Sequence, residues 1–260
     1  MLQGKIIINT RPDGVDDQIG IALKELGAKV IAMPLIEIIP MPISYNTKLD
    51  IVQNNVYQWV VFTSRNGVDL FFYQIEWNQD ILSLPFKTVV FGERTALALK
   101  EKGYNPDLVN VQNRAEDLSK ELFALLHPDE KVLLVLGDLA SDLMQEQLRT
   151  IVHVDRLNVY RTTFVQSTHD DIVQRIVQNK YDMIIFTSPS GVQSFLHHTA
   201  GIINLRELKA ACIGITTERT LLKAGISPLV VANPSGKTGL IKGIEGYFAN
   251  SFLGNNDVNA

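Results

Sequence analysis

A single cysteine occurs in 260 residues, Cys212, inside the apolar run Ala210-Ala211-Cys212-Ile213. It has no internal partner, so a disulfide scaffold is excluded and nothing in the chain asks for an oxidising compartment. Cys212 reads as a small buried hydrophobe. Long apolar runs are missing too: no window holds the roughly 18 uncharged apolar residues that a membrane span requires. Near the N-terminus only Ile6-Ile7-Ile8 precede Asn9, too short for a signal-peptide core and without a small-residue cleavage pattern. A soluble, cytoplasmic protein without membrane contact is expected. Nor is positive charge in excess, because 24 Lys and Arg stand against 28 Asp and Glu, a formal net charge of −4. That balance removes a broad footprint for nucleic acid, and an anionic ligand would need a local site.

Several catalytic signatures are also lacking. No G-x-G-x-x-G follows a strand, so a dinucleotide cofactor has no support. Ser235-Gly236-Lys237-Thr238 looks like the end of a phosphate-binding P-loop, but Val231 stands where that motif needs glycine. The histidines 127, 153, 169, 197 and 198 form neither H-E-x-x-H nor a Cys/His cluster, which argues against zinc; His197 and His198 read as the end of a helix. Ser188-Pro189-Ser190-Gly191 lacks the leading glycine of a nucleophile elbow. Asp16-Asp17 reads as an acidic first helical turn facing solvent, not as a metal site.

What is present is an ordinary globular composition, 46% apolar and 20% charged, enough for a packed core. The length suits one large domain or two smaller ones. Short β-branched runs alternate with amphipathic stretches, the pattern of parallel sheets covered by helices. Ten strands are expected, at 5–10, 29–33, 58–63, 87–92, 107–111, 131–136, 153–157, 181–187, 209–214 and 228–232. Residues 14–26 carry apolar side chains at helical spacing and end at Gly27.

The chain also repeats itself. FTSRNGVDLFF at 62–72 matches FTSPSGVQSFL at 186–196, an offset of 124, and VFGERTALALKEKGYNPDLV at 90–109 matches CIGITTERTLLKAGISPLVV at 212–231, an offset of 122. Lys5-Ile6-Ile7-Ile8 corresponds to Lys131-Val132-Leu133-Leu134. Five strands then fall in an inserted domain, 41–157, and five in a discontinuous domain, 1–34 with 165–253. The segments 35–40 and 158–164 connect them, able to pair as a short ladder and hinge, and 254–260 is expected to be a flexible tail. The expected fold class is α/β: two flavodoxin-like doubly wound parallel-sheet domains joined by a two-stranded connector, with a strand order that the sequence does not reveal.

Open α/β sheets bind ligands beyond the carboxyl ends of their strands, where small residues and helix N-termini expose backbone amides to anions. The candidates there are Arg11 after Thr10, Thr63, Ser64 and Asn66, Gly92 and Thr95, Gly137, Thr187, Ser188 and Ser190, then Gly214, Thr216 and Thr217. The plain alternative is that the Ser and Thr only cap the helices that follow, each worth about 1 kcal/mol. Tyr160, in the returning connector, is a candidate facing a cleft; its alternative is a packed tyrosine with its hydroxyl on a backbone group.

Together these motifs resemble the uroporphyrinogen-III synthase family. The elements that carry the resemblance are Thr10-Arg11-Pro12, FTSRNGV at 62–68, VFGERTALAL at 90–99, AEDL at 115–118, LGDLASDLMQEQL at 136–148, VYRT at 159–162, FTSPSGV at 186–192, IGITTERTL at 213–221 and NPSGKTGL at 233–240. Ser235 departs from the family's usual proline-threonine. The resemblance implies two α/β domains, one discontinuous. It implies a lyase that dehydrates and cyclises hydroxymethylbilane, a linear tetrapyrrole with eight carboxylates, inverting its last ring to give uroporphyrinogen III. It also implies no cofactor or metal, Tyr160 as the candidate acid, and the strand-end residues named above as binders of acetate and propionate arms. A monomer is expected, with a transient contact to the preceding deaminase left open. Two readings compete: a non-catalytic two-domain ligand sensor, and a nucleotide-sugar transferase, which lacks the phosphate or metal site it would need.

Overall fold

Four- and five-residue apolar runs become strands here because their neighbours in sequence, being amphipathic, cover them from both sides. The computed structural model describes residues 2–11, 17–75, 84–110, 122, 124–166 and 169–253. It divides into two units, Met1–Glu37 with Thr163–Ala260, and Ile38–Thr162.

The first unit holds β1 (Ile6–Asn9), α1 (Gln18–Glu25), β2 (Lys29–Ala32), α6 (Asp170–Val177), β9 (Met183–Phe186), α7 (Pro189–Thr199), β10 (Ala210–Cys212), α8 (Ile215–Lys223), β11 (Val230–Val231) and α9 (Lys237–Leu253). Its sheet has the order β11-β10-β9-β1-β2 and is parallel throughout. The chain's first strand therefore lies inside the sheet, between β2 and the much later β9. Alternation along the strands builds two core layers: Ile8, Ile184 and Phe186 on one face, Ile7, Met183 and Ile185 on the other, all fully buried.

The second unit holds α2 (Tyr45–Val52), β4 (Trp59–Phe62), α3 (Arg65–Gln74), β5 (Lys87–Phe91), α4 (Gly92–Glu101), β6 (Leu108–Asn110), β7 (Lys131–Gly137) and α5 (Leu143–Leu148). Its sheet, completed by β3 (Ile36–Pro40) and β8 (His153–Phe164), runs β3-β8-β7-β4-β5-β6. From β8 to β6 it is parallel. Phe62, Phe71 and Phe72 pack together on one face; Val61, Leu134 and Leu136 lie on the other. Numbered from β1 in the first unit and from β7 in the second, the five parallel strands of each sheet have the flavodoxin-like order 2-1-3-4-5.

The structure changes some expected boundaries. The segment 158–164 continues β8 without a break, and most of 35–40 is strand β3. These two run in opposite directions, since Met41 N donates to Val159 O at 2.9 Å and Val165 N to Leu35 O at 3.1 Å. The expected strand 228–232 shrinks to two residues. Helix α1 starts at Gln18, and Asp17 is its cap rather than part of an acidic first turn: its Oδ1 accepts from Gly20 N at 3.0 Å, and Asn9 Nδ2 donates to both of its oxygens. Asp16, the AEDL motif and the tail 254–260 lie outside the described residues. Helices α4 and α8 both end before a glycine with positive φ, Gly103 at 92° and Gly225 at 79°, so the repeat extends to their stops.

An interior strand near a chain terminus makes a direct prediction. Ile8→Ala should lower the unfolding free energy by about 2–5 kcal/mol in a urea titration, as for a core position, whereas a frayed end would lose little.

Candidate active site

Parallel strands place the serines of the repeated FTS runs at equivalent points of the two units. Ser64 and Ser188 are both extended, and each Oγ accepts from the amide three residues on, Gly67 N and Gly191 N, at 3.0 Å. The cap reading holds for both. Each cap brings its hydroxyl to 3.2–3.3 Å from where a Cβ at that glycine would stand, which accounts for the repeated small residue. In the first unit Ser188 Oγ also shares a hydrogen bond with Ser190 Oγ at 3.1 Å, and the buried Thr10 hydroxyl donates to Ile185 O at 2.7 Å.

Ser64 has a further partner: its Oγ lies 3.1 Å from the Tyr160 hydroxyl. How Tyr160 reaches it depends on an irregularity in β8. Leu136 pairs with Asn158, but Gly137 pairs with Tyr160, so Val159 is an extra residue, a β-bulge. Strict alternation would put Tyr160 on the face of Val154, Arg156 and Asn158. The bulge turns it instead to the side of Leu157 and Val159, where it packs against the layer that contains Val68 and Phe71 of α3. The hydroxyl thus meets a side chain rather than a backbone group.

Gly137 is the floor of this arrangement. A Cβ there would fall 2.3 Å from Tyr160 Cε2 and 2.4 Å from Cζ, so the ring rests on the glycine backbone. Beyond it, Asp138 N donates to Tyr160 O at 3.0 Å and Asp138 Oδ1 accepts from Thr162 N at 2.9 Å. Burial pushes the Tyr160 phenol above its ordinary pKa; the Ser64 hydrogen bond pulls it down, and nearby Asp138 adds a smaller upward push. The phenol is therefore neutral at physiological pH and able to donate.

The other candidates differ in what they present. Thr63, Thr187 and Arg11 are half-buried, while Asn66 and Thr216 are exposed. Thr95 and Thr217, at matching points of α4 and α8, are 3% exposed, so these positions offer backbone and not hydroxyl. Gly92, with φ 74°, opens α4 directly from β5. Gly214 is buried under Ser235, whose Oγ would lie 2.5 Å from a Cβ there. Arg65 is engaged away from the strand end: Nε contacts Asp69 at 3.3 Å and Nη2 contacts Glu101 at 2.9 Å, tying α3 to α4.

Asp138 follows Gly137 at the strand end, where the sequence places function; sequence reasoning missed Arg156, on β8. The available signal for Arg156 was its place in the alternation, a cation in step with buried Val154 on a strand with helices on both sides.

The family model described as uroporphyrinogen-III synthase HemD matches residues 17–242. A porphyrin biosynthesis protein HemD of Ruminiclostridium josui is 31% identical over 234 residues, 88% of this chain and 46% of that protein, so the chain spans about half of that relative's length. A uroporphyrinogen-III synthase of Synechococcus elongatus is 28% identical over 203 residues, 75% of this chain and 74% of its own. In fold, the chain is similar to a mutant uroporphyrinogen III synthase of Thermus thermophilus, with a TM-score of 0.63 at 17% identity over 95% of this chain and 100% of that one. A uroporphyrinogen-III synthetase of Helicobacter pylori gives 0.61 at 19% identity, over 92% and 97%.

Two measurements check the Tyr160 geometry. Gly137→Ala should cost about 1–3 kcal/mol, because the added methyl must displace the ring. In an alkaline absorbance titration, the difference between the wild type and Tyr160→Phe should show one phenol ionising above the ordinary range. A pKa raised by folding means that this phenol's contribution to stability is complete below its unfolded pKa, about 10. It is then lost as pH rises through the folded value.

Proposed function

The chain belongs to the uroporphyrinogen-III synthase family, and we propose that it carries that activity, turning hydroxymethylbilane into uroporphyrinogen III with loss of water. The observation that carries the proposal is the Tyr160 phenol held against Ser64 on a glycine floor, at the carboxyl end of a parallel sheet, in a chain matched by that family over residues 17–242.

The chemistry needs few reactive groups. When the hydroxymethyl oxygen leaves as water, the remaining azafulvene is electrophilic enough for a pyrrole carbon to attack it unaided. Unguided closure gives the type I isomer, whereas attack through a spiro intermediate inverts the last ring and gives type III. The protein's main task is steering, and orientation can supply roughly 7–11 kcal/mol of barrier reduction. Tyr160 is placed to assist departure of the hydroxyl. A phenol whose pKa lies above its ordinary value is a poor complete proton donor at neutral pH but a good fixed hydrogen-bond donor in a dry site, so its role is to stabilise charge developing on the leaving oxygen.

The strand ends supply the binding. Amides and hydroxyls around Thr63, Ser64, Asn66, Gly92, Thr95 and Gly137 in one unit are proposed to receive carboxylate arms. Arg11, Thr187, Ser188, Ser190, Gly214, Thr216 and Thr217 do so in the other. Their small side chains and helix N-termini support this, each terminus favouring an anion by about 0.3–1 kcal/mol. Among the described residues no helix is long and apolar enough to cross a membrane. The small-molecule substrate, action as a monomer in the cytoplasm, and transient receipt of substrate from a deaminase complete the proposal.

Freshly generated hydroxymethylbilane is the test. The expected product is type III in excess over type I, and pure type I would return the chain to the class of ligand sensors. Tyr160→Phe should lower kcat by about 10²-fold with the fold retained; wild-type turnover in that variant removes Tyr160 from the mechanism.

A further inference from the structure

Arg156 commits each nitrogen of its guanidinium to the loop between β7 and α5 or to its own strand. Nε donates to Asn158 Oδ1 at 2.9 Å. Nη1 pairs with the Asp142 carboxylate. Nη2 reaches three carbonyl oxygens of one loop, those of Gly137 at 3.2 Å, Asp138 at 3.4 Å and Ala140 at 3.0 Å. The side chain is only 16% exposed.

This pattern is not that of a surface charge. Asp142 occupies the cap position of α5, yet its carboxylate makes no bond to that helix's amides. Because the Asp142 side chain is 69% exposed, the ion pair itself contributes little. The three carbonyls are what the fork organises: one closes β7 and the other two belong to the stretch beyond it that is neither helix nor strand, and convergent carbonyl dipoles repel unless a cation sits among them.

The bulge in β8 gives this a consequence for the site. Arg156 precedes the bulge and comes from the Val154 face; Tyr160 follows it and comes from the Val159 face. Gly137 is therefore held twice, its carbonyl by Arg156 Nη2 and its Cα side by the Tyr160 ring. Thr162 secures Asp138 from further along the strand. We infer that Arg156 is a positioning residue for Tyr160: by fixing the loop 137–142 it fixes the floor under the phenol and so the direction in which the hydroxyl points. The inference rests on the synthase reading given above.

The test uses the full chain with two substitutions, Arg156→Met, which keeps the stem and removes the donors, and Arg156→Lys, which keeps the charge but not the fork. Each is compared with the wild type by thermal melting, by kcat and KM on freshly generated hydroxymethylbilane, and by the ratio of type III to type I product. Arg156→Met is expected to lower kcat by about 10- to 100-fold with KM little changed, as for a small misplacement of a reacting group. The isomer ratio should fall with it, and Arg156→Lys should recover part of both. Type III from the wild type together with unaltered kcat and isomer ratio in Arg156→Met overturns this inference alone. Pure type I from the wild type overturns the synthase reading and the inference with it. Should Arg156→Met not fold, Arg156→Lys decides: reduced kcat at wild-type melting temperature supports the role, and wild-type kcat overturns it.

Discussion

Parallel pairing is the constraint from which the other features follow. In each unit, all strands of the five-stranded core point the same way, so their carboxyl ends emerge along one edge, and the helices that cover the sheet must start there. Amide-rich helix starts, short hydroxylic residues and close-packed glycines therefore collect at that edge without any special arrangement of charge. A net charge of −4 is no obstacle to the anion binding proposed for that edge, because helix-end dipoles act locally and do not depend on the charge of the surface as a whole.

Within that frame the site of the second unit is set by a single extra residue. Val159 interrupts the alternation of β8, and the interruption separates two side chains that a regular strand would have put on the same face. Arg156 is left to bind the loop carbonyls, while Tyr160 is turned toward Ser64. Glycine at 137 is required by the ring that lies on it, and not by backbone freedom, since the residue is an ordinary part of β7. The loss of strand regularity is thus tied directly to the direction of one hydroxyl.

Much of this was legible in advance, and what was hidden has a common cause. Runs such as Trp59–Phe62 and Met183–Phe186 are apolar at every position, which is how a strand buried on both faces reads. The repeated FTS runs marked the strand-to-helix corners in both halves, and Ser64 and Ser188 do cap there. The order of strands was not legible, because register between distant segments leaves no local trace. The bulge was not legible either: Asn158-Val159-Tyr160 has nothing in its composition to distinguish it from a continuing strand. Arg156 was passed over because its partners are mostly carbonyls, which every residue carries and no motif can advertise. Thr95 and Thr217 looked like ligands by residue type and are buried by geometry.

The interleaving of the first unit has a bearing on how a ribosome delivers this chain. Residues 38–162 are contiguous and can gather their own sheet as they emerge, but β1 and β2 emerge before them and wait for β9, β10 and β11. At about 5–20 residues per second, that interval lasts on the order of ten seconds or more, during which Ile6, Ile7 and Ile8 have no neighbour on the β9 side. The segment that holds β1 and β2 is consequently the part of this unit with most to gain from a chaperone that shields short apolar strands until β9 has emerged.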